Sequence, residues 1–461
     1  MTSQNLLRAD VVVIGFGKGG KIAAGTLGRL GRRVVLIERS DQMYGGTCPN
    51  VGCVPTKALV HRSGRRRSND PPQEWFERAV GEVQAITSSF RAGNFEALDG
   101  AETITVITGE ASFADPHTVV VETGAGPVEV RGETILINTG SEPVIPDLPG
   151  LRDSPLTMTN VDLIHTTHLP DRLVVIGGGY LGIEFASIYR RFGSQVTVLE
   201  ASPRILGRED DDIAAVAEQI LTDEGVRIVP GARVLEIRDD DTVVYEKDGR
   251  EHTLTADAIL SATGRQPATA ALKLDNAGVR TTASGAVEVD EYLRTAQPHI
   301  FALGDVNGGP QFTYISLDDS RIVLDQLIGE GRRTTTDRVA VPQTLFMSPP
   351  LATVGLTEKA ARAARYRIKV GYQPVADIVA MPRAYIVEET RGAMKFVIDL
   401  DTDQILGAAL LSVDAQELVN VVALVMRQGV TASALQSSIF THPSSTEAFN
   451  DVIGAVVRSD V

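Results

Sequence analysis

The sequence predicts an α/β protein built from two copies of one strand–turn–helix–strand unit, followed by a C-terminal region of α+β type. Three observations support this. The same glycine pattern occurs twice, an apolar strand closes each copy, and the pattern stops at about Arg338. A chain of 461 residues exceeds what one hydrophobic core supports, so roughly two to four domains are expected.

The first unit is ADVVVIGFGKGGKIAAGTLGRLGRRVVLIERS, in which Gly15, Gly17 and Gly20 form G-x-G-x-x-G. In this pattern Gly15 permits a tight turn, Gly17 lets the backbone approach a pyrophosphate, and Gly20 lets the helix pack closely on the strand. The helix N-terminus then faces the phosphates, and Glu38 at the end of the second strand can hold a ribose hydroxyl.

The second unit is DRLVVIGGGYLGIEFASIYRRFGSQVTVLEAS, with Gly177, Gly179 and Gly182 as its triplet and Glu200 closing its second strand. The step from first glycine to acid covers 23 residues in both units. One such motif is weak, but two in the same context predict two Rossmann-like domains and two dinucleotides, an electron donor and an electron carrier. Glu200 favours NADH, because an acid there repels a 2′-phosphate, and Arg204 close by in sequence is expected to soften that preference.

Three short apolar strands follow these units. The strands in ETILINTGSEP and DAILSATGRQP end at Thr-Gly, where the chain is expected to pass from one dinucleotide domain to the next. The strand in IFALGDV ends at Gly304-Asp305. Asp305 has two readings, an ordinary turn residue or a ligand of a flavin ribityl hydroxyl. Beyond Arg338, AQELVNVVALVMRQGV has the apolar spacing of an amphipathic helix and belongs to a separate domain.

The chain contains only two cysteines, Cys48 and Cys53. A zinc site would lack two ligands, since no other cysteine exists, and a static disulfide over so short a loop would stabilise little. A helix pattern starts at Cys53, and a helix N-terminus together with the nearby Lys57 lowers the pKa of a thiol. These residues therefore predict a redox-active pair.

Composition excludes other classes of protein. The net charge of -15 argues against a nucleic-acid partner, which needs a basic surface. No apolar run is long enough to span a bilayer, and the N-terminus carries no secretory pattern, so no membrane partner and a cytoplasmic location are expected.

Seven motifs in the same order resemble the FAD-dependent pyridine nucleotide-disulfide oxidoreductases, which include dihydrolipoamide dehydrogenase, glutathione reductase and mercuric reductase. They are the first glycine motif, GGTCPNVGCVPTK, NTGSEP, GGGYLGIE, ATGRQP, ALGDV and THPSSTE. The resemblance implies a homodimer with one FAD per subunit and NADH, or NADPH, as donor. It implies an FAD-binding domain at 1–150 and 271–337, an NAD(P)H-binding domain at 151–270, and a dimerisation domain at 338–461.

The resemblance also implies roles for single residues. Cys53 is the flavin-proximal sulfur and Cys48 the exchange sulfur. His442 and Glu447 are the acid-base pair, acting in the partner subunit's site, and Lys57 and Glu184 form an ion pair near the flavin. The implied FAD-binding residues are Gly15, Gly17, Gly20, Glu38, Arg39, Gly46, Thr47, Thr139, Gly140, Gly304 and Asp305. The implied NAD-binding residues are Gly177, Gly179, Tyr180, Gly182, Glu200 and Gly264.

Some motifs are similar to one branch, the reactive-chlorine-resistance flavoproteins. They are GFGKGGK, MYGGTC, PTKALVH and GPQFTYISLDDSRIV. This likeness implies oxidant defence and copper(II) reduction, with Cys48 and Cys53 as transient ligands of the substrate metal. The chain lacks the C-terminal cysteine pair of mercuric reductases, has Phe440 where dihydrolipoamide dehydrogenases have histidine, and has Pro49 where the branch more often has an aliphatic residue. A small-disulfide reductase and a thiol redox sensor remain as alternatives.

Overall fold

The computed structural model describes residues 6–460, and their elements build three large sheets. The first sheet is formed by β1 (Leu6–Ile14), β2 (Val34–Glu38), β3 (Ile104–Thr108), β4 (Glu110–Asp115), β5 (Thr118–Thr123), β6 (Gly126–Ile137) and, from much later in the chain, β17 (Ile300–Ala302). Its order is β3-β2-β1-β6-β5-β4, and β17 pairs with the end of β6. The pairs of β1 with β2 and β6 are parallel, while β4, β5 and the start of β6 form an antiparallel meander.

Both faces of this sheet are covered, which explains why Val12 and Val13 of β1 are both fully buried. Val13 packs in a cluster with helical residues such as Leu27, whereas Val12 packs on the other face with residues such as Val119 and Val287. The helices are α1 (Lys18–Arg29), α2 (Thr47–Val51), α3 (Cys53–Ser63), α4 (Pro72–Asp99) and α8 (Thr313–Ile328). The sequence did not predict α4, because its buried apolar residues are concentrated in its first half and the remainder is mostly polar. Among residues 6–460, no helix has the length and apolar character needed to cross a membrane.

The second large sheet is entirely parallel, in the order β11-β10-β9-β15-β8. Its strands are β8 (Thr157–Met158), β9 (Arg172–Ile176), β10 (Gln195–Glu200), β11 (Arg227–Pro230) and β15 (Ala258–Ser261), and its helices are α5 (Asn160–His165), α6 (Tyr180–Phe192) and α7 (Asp211–Asp223). A small antiparallel sheet is formed by β12 (Arg233–Ile237), β13 (Thr242–Lys247) and β14 (Arg250–Thr255). The short strands β7 (Ser141–Pro143) and β16 (Arg265–Pro267), which follow the first and the second large sheet in the chain, pair with each other.

The C-terminal sheet has the order β18-β19-β22-β21-β20-β23 and is antiparallel. Its strands are β18 (Pro342–Leu345), β19 (Leu351–Gly355), β20 (Ile368–Pro374), β21 (Ala393–Asp399), β22 (Ile405–Leu411) and β23 (Val456–Ser459). Its helices are α9 (Glu358–Ala363), α10 (Pro382–Ile386), α11 (Ala415–Arg427), α12 (Ala432–Gln436) and α13 (Ala448–Val452). The predicted amphipathic helix is α11, which buries Leu418, Val419 and Val422 in the core of this region. The predicted fold class is confirmed.

Candidate functional site

A cavity of about 1300 Å³ lies where the glycine turn after β1, the cysteine loop, α6 and the start of α8 meet. Most of the predicted FAD and redox residues line it: Gly15, Gly17, Glu38, Arg39, Gly46, Thr47, Cys48, Cys53, Lys57, Thr139, Gly140, Glu184 and Asp305. Of the predicted NAD-binding residues, Tyr180 also lines it. Gly20 and Gly304 are not among the lining residues, and neither are Gly177, Gly179, Gly182, Glu200, Gly264, His442 and Glu447. The cavity thus unites the cysteine pair with the first glycine motif.

The first glycine turn is built around Asn138, which the sequence reasoning missed. Gly15 has φ +103°, and a Cβ there would lie 2.3 Å from the carbonyl oxygen of Asn138. Asn138 is 5% exposed. Its Oδ1 accepts the N–H of Gly20 at 2.8 Å, and its Nδ2 donates to the carbonyl of Leu303 at 2.7 Å. The available signal was an asparagine directly after a buried strand. Because glycines leave the backbone uncovered by side chains at this helix N-terminus, a pyrophosphate fits there.

Glu38 is a buried carboxylate at the cavity edge. Its Oε2 accepts the N–H of Phe16 at 2.9 Å, and its Oε1 accepts that of Ser40 at 3.4 Å. Burial raises the pKa of Glu38, and these backbone donors oppose that rise. The turn and the acid are therefore joined, as a ribose-binding acid beside a phosphate-binding turn requires.

Asp305 sits on a turn that buried contacts hold in place. Its Oδ2 accepts the hydroxyl of Ser141 at 2.7 Å, and that hydroxyl accepts Nε of Arg265 at 2.9 Å. Behind the turn, the fully buried Asp319 accepts the N–H of Gly304 at 2.6 Å. Sequence reasoning missed Ser141, Arg265 and Asp319 as supports. Their contacts fix the turn that places Asp305 at the cavity.

The two sulfurs lie at a junction of helices. Cys48 is on α2 and Cys53 is the first residue of α3. The sulfurs are not bonded to each other, and the Thr313 hydroxyl oxygen at the start of α8 lies 3.5 Å from Sγ of Cys53. A hydrogen bond from the Cys48 thiol, aided by Thr313 and Lys57 and opposed by burial, lowers the pKa of Cys53 to about 5. The Cys48 thiol donates that hydrogen bond and is itself largely buried, and both effects raise the pKa of Cys48.

Lys57 and Glu184 connect α3 to α6. The Lys57 Nζ lies 2.6 Å from Oε1 of Glu184, whose side chain is 9% exposed. Burial raises the pKa of Glu184, and the Lys57 charge opposes that rise. The Lys57 ammonium also lies 4.8 Å from the ring centre of Phe346. The predicted ion pair is thus present, one helical turn beyond Cys53.

The second glycine turn repeats the first. Gly177 has φ +111°, and a Cβ there would lie 2.6 Å from the carbonyl oxygen of Ala262. Glu200 accepts the N–H groups of Gly178 at 2.6 Å and Ser202 at 2.7 Å. Arg204 forms an ion pair with Asp211, so its charge is already matched within this chain.

Tyr180 connects this second turn to the cavity. It is the first residue of α6, and its hydroxyl donates to Oε1 of Glu209 at 2.6 Å. Burial, together with the neighbouring Glu209 carboxylate, raises the pKa of Tyr180. Its ring lines the cavity that holds the cysteines.

His442 and Glu447 form a pair on the surface. The Nδ1 of His442 lies 2.9 Å from Oε1 of Glu447, and the His442 side chain is 71% exposed. The Glu447 carboxylate also accepts the N–H of Ser444 at 2.8 Å. The Ser444 N–H and His442 lower the pKa of Glu447. His442 does not line the cavity that holds the cysteines of its own chain.

Comparison with known proteins identifies the family to which this chain belongs. Residues 9–320 match the family described as pyridine nucleotide-disulphide oxidoreductase, and residues 341–453 match the dimerisation domain of that family. The chain belongs to the pyridine nucleotide-disulphide oxidoreductase family. This confirms the predicted enzyme class and its cofactors, FAD and NAD(P)H, and the dimerisation domain indicates a homodimer.

Several family members cover nearly the whole chain. The chain is 46% identical to a probable pyridine nucleotide-disulfide oxidoreductase of Escherichia coli, RclA, over 97% of this chain and 99% of that protein. It is 32% identical to a dihydrolipoyl dehydrogenase of Geobacillus stearothermophilus, over 96% of this chain and 94% of that protein. It is 31% identical to a mercuric reductase of Staphylococcus aureus, over 95% of this chain and 80% of that protein.

A solved structure has the same fold. It is described as a Cu(II) complex of the HOCl-induced flavoprotein disulfide reductase RclA from Escherichia coli. The likeness has a TM-score of 0.91 at 45% identity and covers 97% of this chain and 99% of that one.

Proposed function

We propose that this flavoprotein disulfide reductase passes electrons from NADH through Cys53 and Cys48 to copper(II), or a similar soft metal ion, in defence against reactive chlorine. The observation that carries the proposal is the pair of neighbouring sulfurs in which the pKa of Cys53 is lowered to about 5. A thiolate at neutral pH is the form that takes part in exchange and binds soft metals. The Cu(II) complex of the Escherichia coli relative supports the choice of acceptor.

The cavity residues divide the cofactor-binding work. Gly15, Gly17 and the N-terminus of α1 would hold the pyrophosphate, Glu38 a ribose hydroxyl, and Asp305 a ribityl hydroxyl. When bound, FAD would carry two electrons from the nicotinamide to the cysteine pair. The turn at Gly177, with Glu200, would hold the donor, and Tyr180 lies between the two.

In the acceptor step, the two cysteines supply the electrons. Oxidation of the Cys48–Cys53 dithiol to a disulfide releases two electrons and two protons, which reduces two copper(II) ions to copper(I). In residues 6–460, no cluster of three or more His, Cys, Asp or Glu side chains has the arrangement of a metal site. In this proposal the two sulfurs bind the metal acceptor, because thiolates are soft ligands.

We assign His442 as the proton carrier of a neighbouring subunit's site. It is exposed and held by Glu447, and a carboxylate in that position fixes the tautomer of a histidine. Apolar side chains of the C-terminal region are exposed: Ile439 is 98% exposed and Leu424 on α11 is 58% exposed. A second copy of the chain would cover such a surface. We propose 338–461 as the dimerisation domain, 1–150 with 271–337 as the FAD-binding domain, 151–270 as the donor-binding domain, and the cytoplasm as its location.

A reductase of small disulfides is the second candidate. The His442–Glu447 pair favours it, because a leaving thiolate needs a proton whereas copper(I) does not. A thiol redox sensor would not need this pair.

The test is an anaerobic acceptor panel. We would reduce the holoenzyme with NADH and then compare copper(II), lipoamide and oxidised glutathione on wild type and on Cys48→Ser. The proposal requires copper-dependent NADH oxidation that drops at least tenfold in Cys48→Ser. A full copper rate in that variant would assign reduction to the cofactor itself and contradict the thiol route. Faster turnover with lipoamide than with copper would favour the second candidate, and slow oxidation with every acceptor would favour the sensor.

A further inference from the structure

Glu209 is a buried carboxylate that the proposed mechanism does not use. It is 7% exposed, and its Oε1 accepts the hydroxyl of Tyr180 at 2.6 Å. Tyr180 is the predicted donor-binding residue that lines the cavity holding the cysteines. A buried hydrogen bond of this kind is costly to break, because neither partner can turn to water instead. Glu209 therefore fixes the phenol end of the Tyr180 side chain.

The segment that carries Glu209 lies against the second glycine turn. The N–H of Leu206 donates to the carbonyl of Gly178 at 2.9 Å, and the N–H of Glu209 donates to the carbonyl of Leu206 at 2.9 Å. Arg204 closes the same segment, because its Nη2 donates to the carbonyl of Glu209 at 3.0 Å. These bonds hold Glu209 in a fixed place relative to the turn that is proposed to bind the donor.

Asp210, the next residue, attaches this segment to the C-terminal region. It is the N-cap residue of α7, yet its carboxylate makes no capping hydrogen bond to that helix. Its Oδ2 instead accepts the N–H of Glu358 on α9 at 2.8 Å and lies 3.0 Å from Nζ of Lys395 on β21. Aspartate at an N-cap ordinarily bonds to its own helix. The orientation of Asp210 is therefore set by its partners in the C-terminal region.

The partners of Asp210 belong to a compact group of charges, here called the Lys395 cluster: Lys395, Arg458, Asp210, Asp212 and Glu358. The Lys395 ammonium lies 2.9 Å from both Asp212 and Glu358, and the Arg458 guanidinium lies 2.9 Å from Asp212 and 2.8 Å from Glu358. Lys395 is 1% exposed. Displacing one member would leave an uncompensated buried charge, so the cluster resists movement.

We propose that Glu209 is a positioning residue for Tyr180, and that the Lys395 cluster fixes the segment carrying Glu209, so that the C-terminal region controls where the Tyr180 ring stands. This rests on the proposed binding of the donor at the Gly177 turn. A ring that is held in one place beside that turn needs less ordering when NADH binds. The effect is therefore on the donor half-reaction, the reduction of bound FAD by NADH.

The test follows the donor half-reaction alone. FAD-loaded enzyme is mixed anaerobically with NADH, without an acceptor, and the absorbance of oxidised flavin is followed by stopped flow. The dependence on NADH concentration separates the apparent Kd for NADH from the limiting rate. The variants are Tyr180→Phe, Glu209→Ala, the double variant, and Glu209→Gln, which keeps an acceptor for the hydroxyl. Reduction by dithionite, which needs no donor site, is the control for an intact flavin site.

Tyr180→Phe and Glu209→Ala should each lower the ratio of limiting rate to apparent Kd about three- to tenfold, as expected for loss of one buried hydrogen bond. The double variant should lose no more than the larger single loss, because both changes remove the same contact. Glu209→Gln should stay close to wild type, and dithionite should reduce every variant alike.

The role of the Lys395 cluster is tested with Lys395→Met and with the milder Asp210→Asn, each assayed at a temperature at which circular dichroism shows it folded. Both should slow the donor half-reaction. Arg391→Met is the matched control, because Arg391 joins the C-terminal region to Glu224 at the other end of α7, at 2.9 Å. It should leave the donor half-reaction unchanged.

Several results would overturn the proposal. Additive losses in the double variant, or a loss in Glu209→Ala without one in Tyr180→Phe, would show that Glu209 does not act through Tyr180. Wild-type rates in Asp210→Asn, or an equal loss in Arg391→Met, would remove the role of the Lys395 cluster. Absence of reduction in wild type would contradict the proposed function and this inference with it, whereas wild-type rates in Glu209→Ala would contradict this inference alone.

Discussion

Replacing Cys48 with alanine is expected to raise the pKa of Cys53 by about one to two units, because the Cys48→Ala variant lacks the thiol that donates to the Cys53 sulfur. That hydrogen bond is the largest cause that lowers the pKa of Cys53 to about 5. Hydrogen bonds to charged groups contribute about 1.5–3 kcal/mol, and one pKa unit corresponds to about 1.4 kcal/mol. The midpoint of Cys53 in the variant should therefore lie at about 6 to 7.

In the variant, the remaining groups keep the pKa of Cys53 below that of an ordinary thiol. Thr313 and Lys57 still favour its thiolate, and burial still opposes it. Serine at position 48 is the matched control, since its hydroxyl retains a donor. Cys48→Ser should therefore raise the pKa of Cys53 less than Cys48→Ala does.

The measurement is the pH profile of iodoacetamide alkylation at Cys53 in the FAD-loaded variants, read by peptide mass spectrometry. Below its pKa the thiol is protonated and alkylation slows tenfold per unit, so the midpoint is read directly. A Cys48→Ala midpoint that stays near that of reduced wild type would show that the Cys48 thiol is not the main cause. A wild-type midpoint close to that of a free thiol would refute the reasoning for the whole pair.

Three further predictions concern other parts of the chain. Glu200→Ala should raise the KM for NADH about tenfold and that for NADPH less, because Glu200 orders the second glycine turn and carries the negative charge beside the ribose; equal increases for both donors in steady-state kinetics would contradict its role in selectivity. Lys395→Met should lower the free energy of unfolding by about 3–5 kcal/mol, since Lys395 is 1% exposed and its ammonium lies 3.0 Å from Asp210 and 2.9 Å from both Asp212 and Glu358. Denaturant titration checks this against the control Lys369→Met, which removes a partly exposed ion pair with Asp403 and should cost about 0–1 kcal/mol. Similar losses in the two variants would refute the prediction. His442→Ala should lower turnover with a disulfide acceptor about a hundredfold or more, with the loss in the acceptor half-reaction; stopped-flow traces that place the loss in reduction by NADH would oppose the assigned role.

The parts of the site that sequence predicted are those encoded locally. A strand, a glycine turn and a helix occupy a short run of chain, so the two glycine motifs with Glu38 and Glu200 specify their own geometry. The start of α3 at Cys53 is of the same kind, as is the pairing of His442 with Glu447 five residues later. In each case the interacting groups are neighbours in the chain.

Other parts of the site are made by segments far apart in the chain. Asn138 closes the first glycine turn across 118 residues, and Thr313 reaches Cys53 across 260. Neither contact leaves a spacing that sequence can reveal. The same holds for Ser141, which contacts Asp305 across 164 residues.

The sequence by itself determined the family, the cofactor-binding turns and the identity of the two sulfurs, because short-range sterics and helix starts are encoded in adjacent residues. Only the tertiary structure decided that the Cys48 thiol and Thr313 act on Cys53 against the effect of burial, and that Asn138 closes the first glycine turn. The physical reason is that a pKa sums burial, hydrogen bonds and charges over every element packed around a group. For Cys53 those contributions come from α2, α3 and α8 together, and they exist only once these helices have packed against one another.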